Sequence, residues 1–380
     1  MTRAFVLKTL RLFIGISVFI GITQMVGVDY RQSQEMFYML MGIILFGLIL
    51  DNIWLTLFLW ISVYLFTLSK FAVGFNYVVN IWLGCTIYYL TKLSFKRKHI
   101  DFYLNCVLWL VAVNLILAAL QSFNLDFVFW ARQTDLMGNV TLIDNNDPSG
   151  FMGYKAALGV LCAMAIPILG TRGHKWSIPM ALTMFVPIYI SRASICMVGG
   201  IIGLLFVLWY KVDKRIWVGS VVGLALLGGL YVAKVDMPMG HMDTRTNQWK
   251  LALRDCTIHP VLGWGIDSFR NITEKKKHIY AMNYTQKGNA QHFDYWDNAH
   301  NLYIQLWFEW GILGLLCLVG YLRQCCIWFQ RAIKDPNTLA VTGALIVFYI
   351  CSVAQFPMWL ARCACFCIPL FALAEIAWRE

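Results

Sequence analysis

The chain has 380 residues, of which 59% are hydrophobic and 13% charged; soluble domains carry about 25% charged residues, so the composition excludes a soluble protein and indicates a polytopic membrane protein. The net charge of +11 does not read as a nucleic-acid surface, because many of the basic residues sit in short loops between apolar runs, the distribution of the positive-inside rule. A membrane β-barrel would need alternating segments of about ten residues, whereas the runs here are continuous and of helix-spanning length.

The expected fold is all-α, with about twelve transmembrane helices. Their centres lie near Ser17, Ile43, Trp60, Ile81, Val111, Cys162, Met184, Gly203, Gly223, Gly311, Val347 and Pro369. Arg3, Lys8 and Arg11 precede the first run with no small-residue cleavage site, so it reads as a retained span with its start in the cytoplasm. That choice puts the basic stretches Lys92–Asp101, Thr171–Lys175, Tyr210–Arg215 and Arg323–Asp335 inside. It puts Gln121–Gly150 and the long loop Val235–Ala299 outside. The division is then residues 1–234 as the first nine spans, 235–299 as a periplasmic catalytic loop and 300–380 as the last three spans, all one membrane domain. Of twelve cysteines, only Cys256 lies in the long loop, so no disulfide framework is implied there. Cys363, Cys365 and Cys367 diverge around a helix and make no metal site.

Three polar features fall on the outer side. Ser191 and Arg192 open the span SRASICMVGGIIGLLF. In the long loop, Asp243 and Thr244 can cap a helix starting near Arg245, which would place Arg245, Trp249, Ala252 and Cys256 on one face. Pro260 stops it, and Gly263 and Gly265 of HPVLGWGIDSF make a tight turn that brings backbone N–H groups forward. Last, DNAHNLYIQLWFEWGILGLL passes from polar loop to apolar helix at His300 and Asn301. Glu309 lies roughly 13 Å deeper on about the opposite face, so the two do not form one catalytic pair. Gly311 and Gly314 would let another helix approach. Convergence of the three features marks a site on the outer face.

These pieces resemble the O-antigen ligase and polymerase superfamily, membrane glycosyltransferases of the C type. GFMGYKAALGVLCAMAIP, ISRASICMVGGIIGLL, TRTNQWKLALRDCTIHPVLGWGIDSF and HNLYIQLWFEWGILG match in order, over about the C-terminal three-fifths of the chain. The resemblance implies transfer of a glycan from an undecaprenyl pyrophosphate carrier to an acceptor hydroxyl such as that of lipid A–core. It places this at the periplasmic face of a bacterial inner membrane, with no metal, cofactor or nucleotide sugar. In the alternative the acceptor is a growing glycan or a protein hydroxyl.

The chemistry asks for the same residue types. A departing lipid pyrophosphate gathers negative charge, which arginines hold by bidentate hydrogen bonds. Arg192 and Arg245 are the first candidates, with Arg254, Arg270 and Arg362 in reserve. His300 can take or orient the proton of the attacking hydroxyl, and attack opposite the leaving group inverts the anomeric centre. Ser191, Asn301, Trp249, Gly263 and Gly265 complete the expected substrate-binding set. The plainer readings are a snorkelling Arg192, a solvated Arg245, a helix-capping His300, a Glu309 that bonds a neighbouring helix, and Lys275–Lys277 as solvated or lipid-surface charge. Trp249 and Trp264 also suit packing. A twelve-span transporter or flippase is the competing class, but transporters place ionisable groups near the midplane, and here they collect at one face.

Overall fold

Glycine and proline set the middle of the molecule. In the computed structural model, helices α2 (Lys155–Thr171), α5 (Ser194–Lys211) and α9 (Pro336–Cys351) pack closely together. A Cβ at Gly203 would lie 2.6 Å from Val347 Cγ2, and one at Gly343 would lie 2.5 Å from Pro167 Cβ. Both helices therefore come closer than any side chain would permit. From Ala156 to Leu169, the apolar residues of α2 are buried all round, as for a helix enclosed by others.

The structure describes residues 87–123, 132–134, 140–142, 155–215, 217–219, 221, 223, 239–265, 268–276, 298–332, 335–355 and 361–379. The spans expected near Ser17, Ile43, Trp60 and Ile81 lie outside them, as does the loop from 277 to 297. In chain order the remaining elements are α1 (Ile100–Ser122), β1 (Arg132–Thr134), β2 (Val140–Leu142), α3 (Ser177–Thr183), α4 (Phe185–Ile190), α6 (Met239–Cys256), α7 (Ser268–Lys275), α8 (Leu302–Ala332) and α10 (Ala361–Arg379). Helices Arg97–Ser122 and Ser194–Lys211 are long and apolar enough to cross a membrane. Leu302–Ile312 and Gly314–Gly320, bent by 120°, together make a third.

The sequence-based expectation holds at the level of apolar helices and needs correction in detail. The segment 121–150 contains a hairpin, with Arg132 opposite Leu142 and Thr134 opposite Val140. The apolar helix expected near Met184 is split at that residue into α3 and α4. Those near Cys162 and Val347 have only 17 and 16 residues. Helix α6 starts at Met239, not near Arg245; the residue before it is Pro238, a type favoured at helix starts.

Charges gather at one end of the bundle. Arg172, just past α2, pairs with Asp101 in the first turn of α1 and donates to Asn105 Oδ1 at 2.9 Å. Lys211, the last residue of α5, donates to the Arg172 carbonyl at 2.9 Å. Arg97 meets Asp335 at 3.8 Å, and Lys92 meets Glu375 at 2.8 Å. The four basic stretches of the sequence thus share one end.

Candidate active site at the end of α9

Because α5 and α9 run antiparallel, the start of α5 lies by the end of α9: a Cβ at Gly199 would be 3.1 Å from Cys351 Sγ. This is the end opposite the ion pairs. Arg192 is reached through a left-handed turn after α4, with φ of 53°. Its amide donates to the Tyr189 carbonyl at 3.0 Å, and Ser191 Oγ donates to the Ile188 carbonyl at 2.6 Å. Glycine is the usual residue at such a helix end, and an L-residue there costs roughly 1–2 kcal/mol. The turn leaves Arg192 exposed. Ser191 is buried and fits against Gly159, where a Cβ would come within 2.6 Å of its Oγ. The hydroxyl expected at the substrate faces inward and holds the turn.

His300 is the second left-handed residue, with φ of 49°; it and Arg192 are the only non-glycine residues with positive φ among those described. Two of the three principal sequence candidates therefore carry uncommon backbone, the kind of outlier that clusters at functional sites. His300 is not a helix cap. That role belongs to Asn301, whose Oδ1 accepts from the amides of Tyr303 at 2.9 Å and Ile304 at 3.0 Å. The His300 amide donates to Asn298 Oδ1 at 2.9 Å.

The turn that follows α9 ties two of these pieces together through its carbonyls. Ser352 O accepts from the Leu302 amide at 2.9 Å, and Ala354 O accepts from Arg245 Nη1 at 3.0 Å. A cation suits the negative end of a helix. A guanidinium has five N–H donors, and the described bond uses one. Arg245 lies on the inward face of α6, as its spacing predicts. The same face carries Gln248, whose Nε2 donates to the Asn298 carbonyl at 2.8 Å, and Trp249, whose Nε1 donates to the Ala299 carbonyl at 2.8 Å. Arg192, Arg245 and the His300 loop thus lie at the same end of the bundle, that of the end of α9.

A second, smaller core supports the arrangement. Ala252, Cys256, Phe269, Ala299, Ile304 and Phe308 are buried together, with Trp249 and Trp264 against them. Burial, reinforced by the Asp255 charge, pushes the Cys256 thiol up to about 12, which makes it a packing group. Lys275 is exposed, whereas half-buried Lys276 is tied down: it pairs with buried Asp255 at 2.6 Å and lies over the Trp264 ring.

The Gly-x-Gly turn has a different task from the one its sequence suggests. Helix α8 breaks at Gly311, with φ of 65° and ψ of −164°, and the loop from Pro260 to Gly265 fills the break. Trp264 N donates to Phe308 O at 2.8 Å, Gly265 N to Glu309 O at 3.0 Å, and Ile312 N to Pro260 O at 2.8 Å. The amides expected to face an anion are engaged: those of Trp264 and Gly265 by carbonyls that the break frees, and that of Gly263 by the His259 carbonyl at 3.0 Å. A Cβ at Gly311 would strike the Val261 carbonyl and lie 2.6 Å from Leu262 N. What Gly311 admits is this turn, not another helix. The Glu309 carboxylate accepts from Gln305 Nε2 of its own helix at 2.6 Å.

Of the reserve arginines, Arg254 is exposed on α6 nine residues beyond Arg245, about 13 Å along the helix. Arg270 and Arg362 lie on α7 and α10, and their side chains fall outside the described ones. Sequence reasoning gave no role to Gln248, Asn298 or Gln305. A polar residue at helical spacing from Arg245 and Trp249 was the available signal for Gln248.

Residues 178–319 match the family model described as O-Antigen ligase. This segment is thus similar to the O-antigen ligase family, which supports the resemblance to the O-antigen ligase/polymerase superfamily. The matched segment contains Arg192, Arg245, His300 and the filled break in α8, and ends before α9 and Arg362. No curated protein matches the chain. Members of that family are membrane-associated, glycosyltransferase-like enzymes.

Proposed function

We propose that the end of α9 is the transfer site of a metal-independent glycosyltransferase that moves a glycan from undecaprenyl pyrophosphate to an acceptor hydroxyl, that of lipid A–core in the ligase reading. The observation that carries this is the placement of Arg192, Arg245 and the left-handed His300 at one end of the bundle, opposite the ion-paired end. Arg192 and Arg245 hold the pyrophosphate as negative charge develops on it. His300 receives the proton of the acceptor hydroxyl as that oxygen attacks the anomeric carbon and the carbon–phosphate oxygen bond breaks. Attack from the face opposite the leaving group inverts the centre.

The site faces the periplasm in this reading, with the four basic stretches in the cytoplasm. The long loop forms the catalytic lid of a single membrane domain. A cysteine introduced at Leu262, which is 72% exposed, should take a membrane-impermeant maleimide in intact spheroplasts, above the level of the parent chain. One at Lys96 should not. Labelling at Lys96 without permeabilisation reverses the orientation.

The chemistry is tested with purified protein and a lipid-linked glycan donor. Transfer should survive EDTA; loss restored by a divalent ion overturns the arginine-only account. Supplying lipid A–core or donor glycan as the acceptor separates a ligase from a polymerase, and a protein acceptor separates both from a protein O-oligosaccharyltransferase.

A further inference from the structure

His300 precedes the capped start of α8, and the peptides before it are held from three directions. Asn298 O accepts from Gln248 and Ala299 O from Trp249, both on α6. The third hold comes from α8 itself. The Ala299 amide donates to Gln305 Oε1 at 2.7 Å, with Ala299 fully buried and Gln305 nearly so.

An amide side chain can turn either way, and its neighbours decide which end is oxygen. Here Gln305 Nε2 donates to Glu309 Oε1 at 2.6 Å. The Ala299 N–H only donates, so it takes Oε1, and the NH₂ group is left to donate to the Glu309 carboxyl, whose Oε1 accepts. One turn below, Glu309 O takes the Gly265 amide at the filled break. A relay therefore runs from the break through Glu309 and Gln305 to the peptide next to His300. Uncommon backbone persists only where the surroundings over-determine it.

We infer that Gln305 is a positioning residue for His300, holding the Ala299 peptide so that the His300 backbone stays left-handed, with Glu309 setting the orientation of the Gln305 amide. This rests on the transfer reading only for its effect on rate; the geometric claim stands apart from it.

The experiment uses the full-length chain in detergent or nanodiscs, in wild type, Gln305→Met, Gln305→Leu and Glu309→Leu. Methionine keeps the length and flexibility of glutamine and removes the acceptor, which guards against a variant that does not fold. The first readout is the rate at which diethyl pyrocarbonate modifies His300, followed by peptide mass spectrometry with exposed His259 as internal reference. Gln305→Met should change the His300 rate at least about threefold while His259 is unchanged; an unchanged ratio in a folded variant overturns the inference. The second readout is transfer. Misplacement of a reacting group by about 1 Å can cost ~100-fold, so Gln305→Met should lose roughly ten- to a hundredfold in kcat, with donor binding retained. In a His300→Ala background the same substitution should cost little more. An equal loss in both backgrounds means Gln305 acts independently of His300 and overturns the inference. If His300→Ala transfers normally while Gln305→Met still alters His300 modification, the positioning claim survives and the transfer reading fails.

Discussion

The two ends of the helix bundle solve the placement of charge in opposite ways. At one, Lys92, Arg97 and Arg172 each lie within reach of a carboxylate, from Glu375, Asp335 and Asp101 respectively. On the side of the other, Lys276 pairs with Asp255 between the loop helices, but the described bond of the Arg245 guanidinium goes to a backbone carbonyl, and Arg192 is thrown out on a left-handed turn without an ion pair among the described residues. Paired charges neutralise each other and lock helices. A guanidinium bound only to a carbonyl remains a net cation, available to an anion. The difference separates an end whose charges are paired from an end whose arginines remain free to take an anion, as the proposed transfer requires.

The largest effects should come from breaking the second end. Removing a general base costs about a hundred- to ten-thousandfold, and removing one preorganised electrostatic donor about a hundred- to a thousandfold. His300→Ala and Arg192→Ala should therefore nearly abolish transfer while leaving expression intact, measured as initial rates with a lipid-linked donor. Normal turnover of either variant removes that residue from the mechanism. Arg192→Lys should also be impaired, because an ammonium lacks the bidentate fork.

A smaller loss is expected at Gly311→Ala. The new Cβ meets the Val261 carbonyl, and positive φ adds roughly 1–2 kcal/mol of strain. The loop from Pro260 to Gly265 should leave the break and become open to protease, with transfer down at least about tenfold through the displaced α6. An unchanged digestion pattern at this loop counts against the filled break. Arg245→Lys comes next. It keeps a cation at the end of α9 but loses the planar donor array, so donor affinity should fall more than kcat, read from the dependence of rate on donor concentration.

The smallest effect belongs to the anchoring end. Asp101 is 51% exposed in its pair with Arg172, and exposed pairs contribute about 0–1 kcal/mol. Arg172→Gln should leave kcat unchanged and lower Tm by no more than a few degrees. A large loss of transfer would dissolve the contrast between the ends.

The sequence carried the contrast further than it carried the fold around it. Alternating basic loops report which loops share a side, because that bias is a statement about charge and not packing. Arg192 and His300 stood out because polar residues at the mouths of apolar helices have few structural reasons to be there, and Arg245 because it shares helical spacing with Trp249 on a loop helix. The roles of Gly263, Gly265 and Gly311 were not. A glycine announces unusual φ or close approach, but its partner here lies in another segment, and the helical period runs through Gly311 without interruption. Nor did the sequence distinguish which of two adjacent residues caps α8. His300 and Asn301 both suit that junction, and only the bonds to Tyr303 and Ile304 settle it. Ser191 shows the same limit: a hydroxyl beside an exposed arginine reads as part of the site, whereas the close approach of Gly159 turns it inward.

The filled break in α8 also bears on how the protein is made. A break in an apolar helix leaves carbonyls such as Phe308 O and Glu309 O needing donors, and an unsatisfied backbone group in hydrocarbon costs several kcal/mol. Their donors, Trp264 N and Gly265 N, lie earlier in the chain. A ribosome has therefore already delivered the turn before it reaches Gly311. The helix can be threaded into the bilayer and completed against a partner that is waiting for it, whereas a chain permuted to place residues 260–265 after α8 would have to insert the break unsupported.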